Sequence, residues 1–215
     1  FFTLLLTSDF ELLPSQLMAF MVFIPKKTFS VTGSGLKVYH PKDTRPISLS
    51  NTFTKLIAIT LKAALCNIVD AKITLAQKCV AGRNLLENVV ALDTAMHIFA
   101  IKGLPFAAGF LWDFFSAFPS VDHDFLWQVM TAAGLPKELI RAVKKLYKFN
   151  CHLIKLAGKT YKGPTVLAGV KQGCPLSMVL FALCIEGLLR HLIRIATEGE
   201  EVGAFADDVG AVFAD

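Results

Sequence analysis

Toward its C-terminal end the chain reads AFADDVGAVFAD, residues 204–215, and sets Asp207 beside Asp208 inside an otherwise apolar run. The flanking residues read as two short strands joined at the acidic pair. Adjacent like charges repel, and their ionised forms are costly away from water unless a cation stands beside them. The pair is therefore either a polar turn or a seat for something strongly positive. Taken alone, the turn is the commoner solution, because Asp bonds readily to its own backbone in turns.

A third acid closes another apolar run. Residues 105–115, PFAAGFLWDFF, follow the break at Gly103 and Pro105 and lead to Asp113. A continuous run of this length predicts a strand covered on both faces, with Asp113 at its buried end. Set beside the hairpin in one sheet, that strand brings Asp113, Asp207 and Asp208 to a common edge. Divalent Mg²⁺ takes hard carboxylate oxygens and keeps positions for water and phosphate. Two such ions about 4 Å apart activate an attacking hydroxyl and stabilise a leaving oxygen.

The remaining pattern is α+β. Residues 17–27 read as a strand entering a basic corner, and 33–46 as a polar loop carrying Lys37, Lys42 and Arg45. Residues 47–69 begin polar and become a helix. Residues 84–100 carry Leu85, Leu86, Val89, Val90, Met96 and Phe99 at helical spacing. Asp124 is placed to cap a helix through about Ala133, and Pro136 to open another. On that second helix Lys144, Lys145 and Lys148 read as a solvated face. Residues 151–170 read as two strands around Gly158-Lys159, and 175–196 as a long helix.

Composition narrows the class. A length of 215 residues fits one large domain or two modest ones, and a net charge of +5 admits an acidic partner such as nucleic acid without requiring one. Mean hydropathy of +0.54 raises a membrane reading. The most apolar windows are cut by Pro, Asp, Glu or Arg short of the roughly 20 clean residues of a spanning helix, so no membrane association is expected. The 5 cysteines are odd in number and lack a C-x-x-C pair, which argues against a disulfide framework and a thiolate zinc site. The chain lacks an initiator Met and a charged leader, and it stops at VFAD within a strand-like stretch. Both ends lead us to expect a piece of something longer.

Several stretches in order resemble the motifs of reverse transcriptases, most closely the non-LTR retrotransposon (LINE-like) type. FIPKK (23–27) resembles the first fingers motif, and DTRPISLSNTFTKLI (43–57) the R-P-I-S-L segment after it. AGRNLLENV (81–89) resembles the segment preceding the palm. DFFSAFPSVDH (113–123) is similar to the first palm motif, D-x-x-x-A-F-D-x-V-x-H. GVKQGCPLSMVLF (169–181) resembles G-x-x-Q-G-x-P-L-S-P-x-L-F, and FADD (205–208) the Y/F-x-D-D box. FADD alone would be weak; six stretches in register are strong.

The resemblance implies a right-handed polymerase fold with fingers and connecting helices over 1–100, a palm with an antiparallel sheet over 101–215, and no thumb within the chain. It implies an RNA-directed DNA polymerase taking an RNA template, a DNA primer and dNTP, with two Mg²⁺ ions as cofactors and Mn²⁺ as a substitute. Asp113 would bind both ions, Asp207 would be the principal ligand of the second motif, and Asp208 would support it. The Phe114 carbonyl would complete the nucleotide-side ion. Phe118 would stand beneath the incoming sugar and exclude a 2′-hydroxyl. Gln172 and Gly173 would meet the nucleotide and template, and Lys27 and Arg45, with Lys26, the triphosphate. Pro119 departs from a second Asp, Ser116 from a Lys and Met178 from a Pro; none of these removes an implied ligand. Without a thumb, independent activity is expected to be weak. The implied setting is intracellular and nuclear. Alternatives are an inactive retroelement remnant that binds RNA, or a group II intron-like or telomerase-like reverse transcriptase.

Overall fold

The computed structural model describes residues 5–7, 11–104, 106–148, 151–156 and 158–214. After a short helix α1 (Pro14–Leu17), strand β1 (Ala19–Pro25) pairs antiparallel with β4 (Thr44–Ser50), in a register running from Ala19 opposite Ser50 to Pro25 opposite Thr44. Between them lies a two-residue ladder, β2 (Ser30–Val31) with β3 (Lys37–Val38), and a 3₁₀ turn at Pro41–Asp43. The sequence reading placed loop and early helix over much of β4. Pro46 disguises this strand, and it is tolerated because β4 is the outer strand of its sheet.

Helix α2 (Thr52–Asp70) is capped by the Asn51 side chain, which accepts from the Thr54 N–H at 2.8 Å. Its length and composition would let it cross a membrane. In this fold Ile57, Ala58, Leu61, Leu65 and Val69 instead form a buried stripe at helical spacing. A non-helical stretch then leads to α3 (Leu85–Lys102), which Gly103 ends in the left-handed conformation at φ 65°.

Strand β5 (Ala108–Asp113) is followed by a helical turn α4 (Ala117–Ser120), α5 (His123–Ala132) and α6 (Lys137–Tyr147). The cap of α5 is Asp122, whose carboxylate accepts the Phe125 N–H at 2.8 Å, rather than Asp124, which lies inside the helix. Lys145 does not join a solvated face. It is buried, and its ammonium donates to the Leu5 and Thr7 carbonyls.

The hairpin β6 (Cys151–Leu156) and β7 (Lys159–Thr165) adds to the first sheet through a parallel pairing of β6 with β1. That sheet therefore draws on both sides of residue 100, in the order β4-β1-β6-β7. Long helix α7 (Ser177–Ile195) leads to β8 (Glu201–Phe205) and β9 (Asp208–Phe213). These two strands and β5 form a separate antiparallel sheet in the order β5-β9-β8.

The main core joins α2, α5, α6 and α7 to the hairpin residues Ala204, Ala206 and Val209. On the other face of the three-stranded sheet runs α3. Gly203, Gly210 and Gly109 share that face, and a Cβ on each would meet Asn88, Leu92 and Met96 of α3 at 2.8, 2.8 and 3.2 Å. The glycines let the helix lie directly on the sheet.

A methyl at Gly203 therefore displaces Asn88, which donates to the Ala76 and Ala204 carbonyls. Gly203→Ala is expected to lower stability by about 1–3 kcal/mol in urea titration. Gly187→Ala, mid-helix with nothing within 4 Å of the added Cβ, is expected to raise it by about 0.5–1 kcal/mol.

Candidate active site

The acidic pair sits at the hairpin between β8 and β9. Phe205 and Asp208 close the ladder, leaving Ala206 and Asp207 as its two-residue connection. Ala206 takes a positive φ of 55°, as the first residue of such tight connections often does. On the other side of β9, Asp208 is the direct cross-strand partner of Asp113. Cross-strand partners point to the same face with Cβ atoms about 4.5–5.5 Å apart. The three acids of the sequence argument thus meet at one end of one sheet.

The electrostatics agree. Burial, above all, pushes the Asp207 carboxyl above the ordinary Asp value. Its own N–H pulls it back, the charges of Asp208 and Asp113 push it up, and the Arg45 guanidinium on β4 opposes them. Arg45, Asp113 and Asp208 therefore all lie within electrostatic reach of Asp207.

The burial expected of β5 is not found. All six of its residues are exposed, Leu111 to 87%, although its sequence is that of a covered strand. It is the outer strand of its sheet, and α3 meets its face at Gly109. Asp113 is accordingly open to solvent at the sheet's end.

Among the described residues, no three His, Cys, Asp or Glu side chains are gathered closely enough to hold a metal ion by themselves. Nor does any of the three aspartates form an ion pair there. Hard oxygen donors that repel one another and have no paired cation match what Mg²⁺ takes, with positions left for water or phosphate.

The other implied site residues fall around this edge and on the first sheet. Phe114 is partly exposed immediately after Asp113. Phe118 lies half-buried on α4, stacked on Phe181 of α7 with ring centroids 4.6 Å apart. Pro119 packs against Gly169, where an added Cβ would come within 2.6 Å of the Pro119 carbonyl oxygen. Gln172 accepts the Ser48 N–H at 2.8 Å through its backbone carbonyl. Gly173, at φ 96°, leaves no room for a Cβ, which would stand 2.9 Å from the Ser48 oxygen. Arg45 is exposed, whereas Lys27 forms an exposed ion pair with Asp43 at 3.4 Å.

Residues 24–215 match the family model for reverse transcriptase (RNA-dependent DNA polymerase). The chain belongs to the reverse transcriptase family. Over 182 residues, 78% of its length, it is 30% identical to the 149 kDa transposon TX1 protein of Xenopus laevis. Over 102 residues, 45% of its length, it is 31% identical to the Pol polyprotein of the type-2 retrotransposable element R2DM of Drosophila melanogaster. It spans 14% of the first relative and 10% of the second. Its fold is similar to apo telomerase from Candida tropicalis, with a TM-score of 0.62 at 9% identity over 97% of this chain and 40% of that one. The telomerase of Candida albicans in complex with a TWJ fragment of telomeric RNA gives a TM-score of 0.57 at 10% identity, over 96% of this chain and 40% of that one. These likenesses concern fold, and the fold is that of polymerase fingers and palm. The retrotransposon type read from the motifs agrees with the relatives.

Reading the sequence of this reverse transcriptase chain missed what lies under the hairpin. Residues 76–78 run alongside β8: the Ala204 N–H donates to the Ala76 carbonyl and the Lys78 N–H to the Ala204 carbonyl, both at 2.8 Å. Arg83 ties this segment from behind, donating to the carbonyls of Asp70, Ile73, Thr74 and Gln77. Such a stretch is too short to carry strand periodicity, so its one sequence signal is the neighbouring AGRN motif.

The raised Asp207 carboxyl makes a signed prediction. A carboxyl that titrates higher when folded binds its proton more tightly in that state, so the metal-free fold gains stability as pH falls through the window above the ordinary Asp value. Above that window the ionised group is a burden. Asp207→Asn is expected to melt above wild type at pH 7 in EDTA, and the two curves are expected to converge as pH falls toward 4. A variant that melts at or below wild type at pH 7 would contradict this account.

Proposed function

We propose that this chain carries the catalytic centre of an RNA-directed DNA polymerase, joining a dNTP to the 3′-hydroxyl of a DNA primer on an RNA template. The observation that carries the reading is the register of β5 on β9, which sets Asp113 opposite Asp208 and next to the Asp207 turn. Asp113 and Asp207 would hold the divalent ions, with Asp208 and the Phe114 carbonyl in support. When bound, two Mg²⁺ ions would lower the pKa of the primer hydroxyl and neutralise the leaving pyrophosphate. Mn²⁺, another divalent ion for oxygen ligands, would substitute.

The chain's own groups do the rest. The Arg45 guanidinium, already within electrostatic reach of Asp207, binds the triphosphate through paired donors. Lys27 adds a point charge once it leaves Asp43. Phe118, braced by Phe181, presents a bulky ring against the sugar and excludes a 2′-hydroxyl. Gln172 and Gly173 form the turn before α7 that meets the nucleotide and template. Since the relatives extend well beyond the matched segment, the activity of a whole protein, including a nuclear site of action, is part of the proposal.

Two measurements test it. Wild type is expected to bind dNTP in a Mg²⁺-dependent way and to extend a primer on RNA weakly, without processive synthesis. Asp113→Asn and Asp207→Asn should each reduce both by at least about a hundredfold. Binding and extension that ignore these substitutions would overturn the reading. Phe118→Val is expected to raise rNTP incorporation relative to dNTP by about tenfold, because the steric clash is removed, while the stack on Phe181 is lost as well.

A further inference from the structure

Ala206 occupies an uncomfortable position. Apart from Ser116, it is the one non-glycine residue with positive φ among the described residues, and a left-handed alanine persists only where its surroundings impose it. As the first residue of a two-residue connection, it has no partner in the ladder for its own N–H and C=O. A single side chain answers both. Gln77 Oε1 accepts the Ala206 N–H at 2.8 Å, and Gln77 Nε2 donates to the Ala206 carbonyl at 3.2 Å.

Gln77 is fully buried at 0% exposure, and its Oε1 also accepts the Cys79 N–H at 3.2 Å. Its backbone cannot swing away. The Ala76 carbonyl and the Lys78 N–H are bonded to Ala204, Asn88 clamps the Ala76 and Ala204 carbonyls, and Arg83 donates to the Gln77 carbonyl at 2.9 Å. Leu or Met would fill the same volume without the desolvation cost of an amide. An amide accepts the N–H and donates to the carbonyl of the same residue, which neither Leu nor Met can do.

We propose that Gln77 is the positioning residue of the acidic turn, holding the Ala206 peptide in its left-handed conformation and thereby aiming Asp207 at the cation site. The proposal rests on the polymerase reading for the identity of that site. Gln77 acts through the turn and reaches no substrate.

The test uses Gln77→Met, which keeps the size and removes the grip, and the double variant Gln77→Met with Ala206→Gly. Glycine takes positive φ without penalty. Amide hydrogen exchange is read at Ala206, and Mn²⁺ affinity by EPR titration. In wild type the Ala206 amide is expected to be protected at least about a hundredfold, although no strand covers it. In Gln77→Met that protection is lost while the Gly210 and Ala211 amides keep theirs, and Mn²⁺ binds about tenfold more weakly. Adding Ala206→Gly should recover most of the affinity, which mere filling of the core by Gln77 would not allow. An unprotected Ala206 amide in wild type, a measurement that needs no variant to fold, overturns the proposal. So does unchanged Mn²⁺ affinity in Gln77→Met, or a weakening that Ala206→Gly leaves in place. If wild type binds no Mn²⁺, or Asp207→Asn binds it equally well, the polymerase reading fails instead, and the aiming role falls with it.

Discussion

The structure depends on one register. With Asp113 opposite Asp208, every inward and outward position of β5, β9 and β8 is fixed. Side chains alternate strictly along a strand, so a slip of one residue would turn Asp113 to the opposite face from Asp208. The same slip of β5 would take Gly109 from under α3 and put Ala108 or Phe110 there. Register, glycine placement and helix packing therefore specify one another. The fold tolerates three repelling carboxylates at the end of this sheet because the hydrophobic contacts on its other face, with α7 and the main core, fix the strands independently.

Around that register the chain builds support in two directions. From below, α3 rests on the glycine face, and residues 76–78 extend the sheet beyond β8. From the side, Arg83 gathers the carbonyls of a segment that has no regular structure of its own, leaving fewer buried acceptors unpaired. Backbone groups near an active site are often satisfied by water. Here side-chain amides and a guanidinium take that task.

Much of this was legible in the sequence. The motifs in order identified the family, and the acidic hairpin was found where its alternating apolar flanks put it. Helices α2, α3, α6 and α7 were all expected, α3 from its periodicity and α6 from the proline that opens it. The misses have physical causes. A run such as AGFLWD fits a covered strand or an open edge equally well, and only tertiary packing decides between them. Asp122 and Asp124 are both plausible caps two residues apart, and the one whose carboxylate reaches the Phe125 N–H wins. Lys145 looks like a surface charge until carbonyls of the N-terminal segment, distant in sequence, close over it. Gln77 carries no local signal, since its partner Ala206 is 129 positions away.

The distance between Arg45 and the acids is governed by a contact that neither motif contains alone. Arg45 belongs to the first sheet, and the acids belong to the second. The first sheet is tied at Ser48 to the turn before α7: the Ser48 N–H donates to the Gln172 carbonyl at 2.8 Å, and its carbonyl oxygen abuts Gly173. Its hydroxyl shares a buried 2.8 Å hydrogen bond with His152 Nε2 on β6. Ser48 therefore pins β4 both to its own sheet and to the turn that opens α7. Arg45 stands three residues earlier on the same extended strand, roughly 10 Å along it at the usual strand rise. The extended strand thus links the Ser48 contact to a guanidinium that lies within electrostatic reach of Asp207. Gly173 suits this arrangement on steric grounds: a Cβ there would stand 2.9 Å from the Ser48 carbonyl oxygen, so a larger residue would force β4 or the turn to shift.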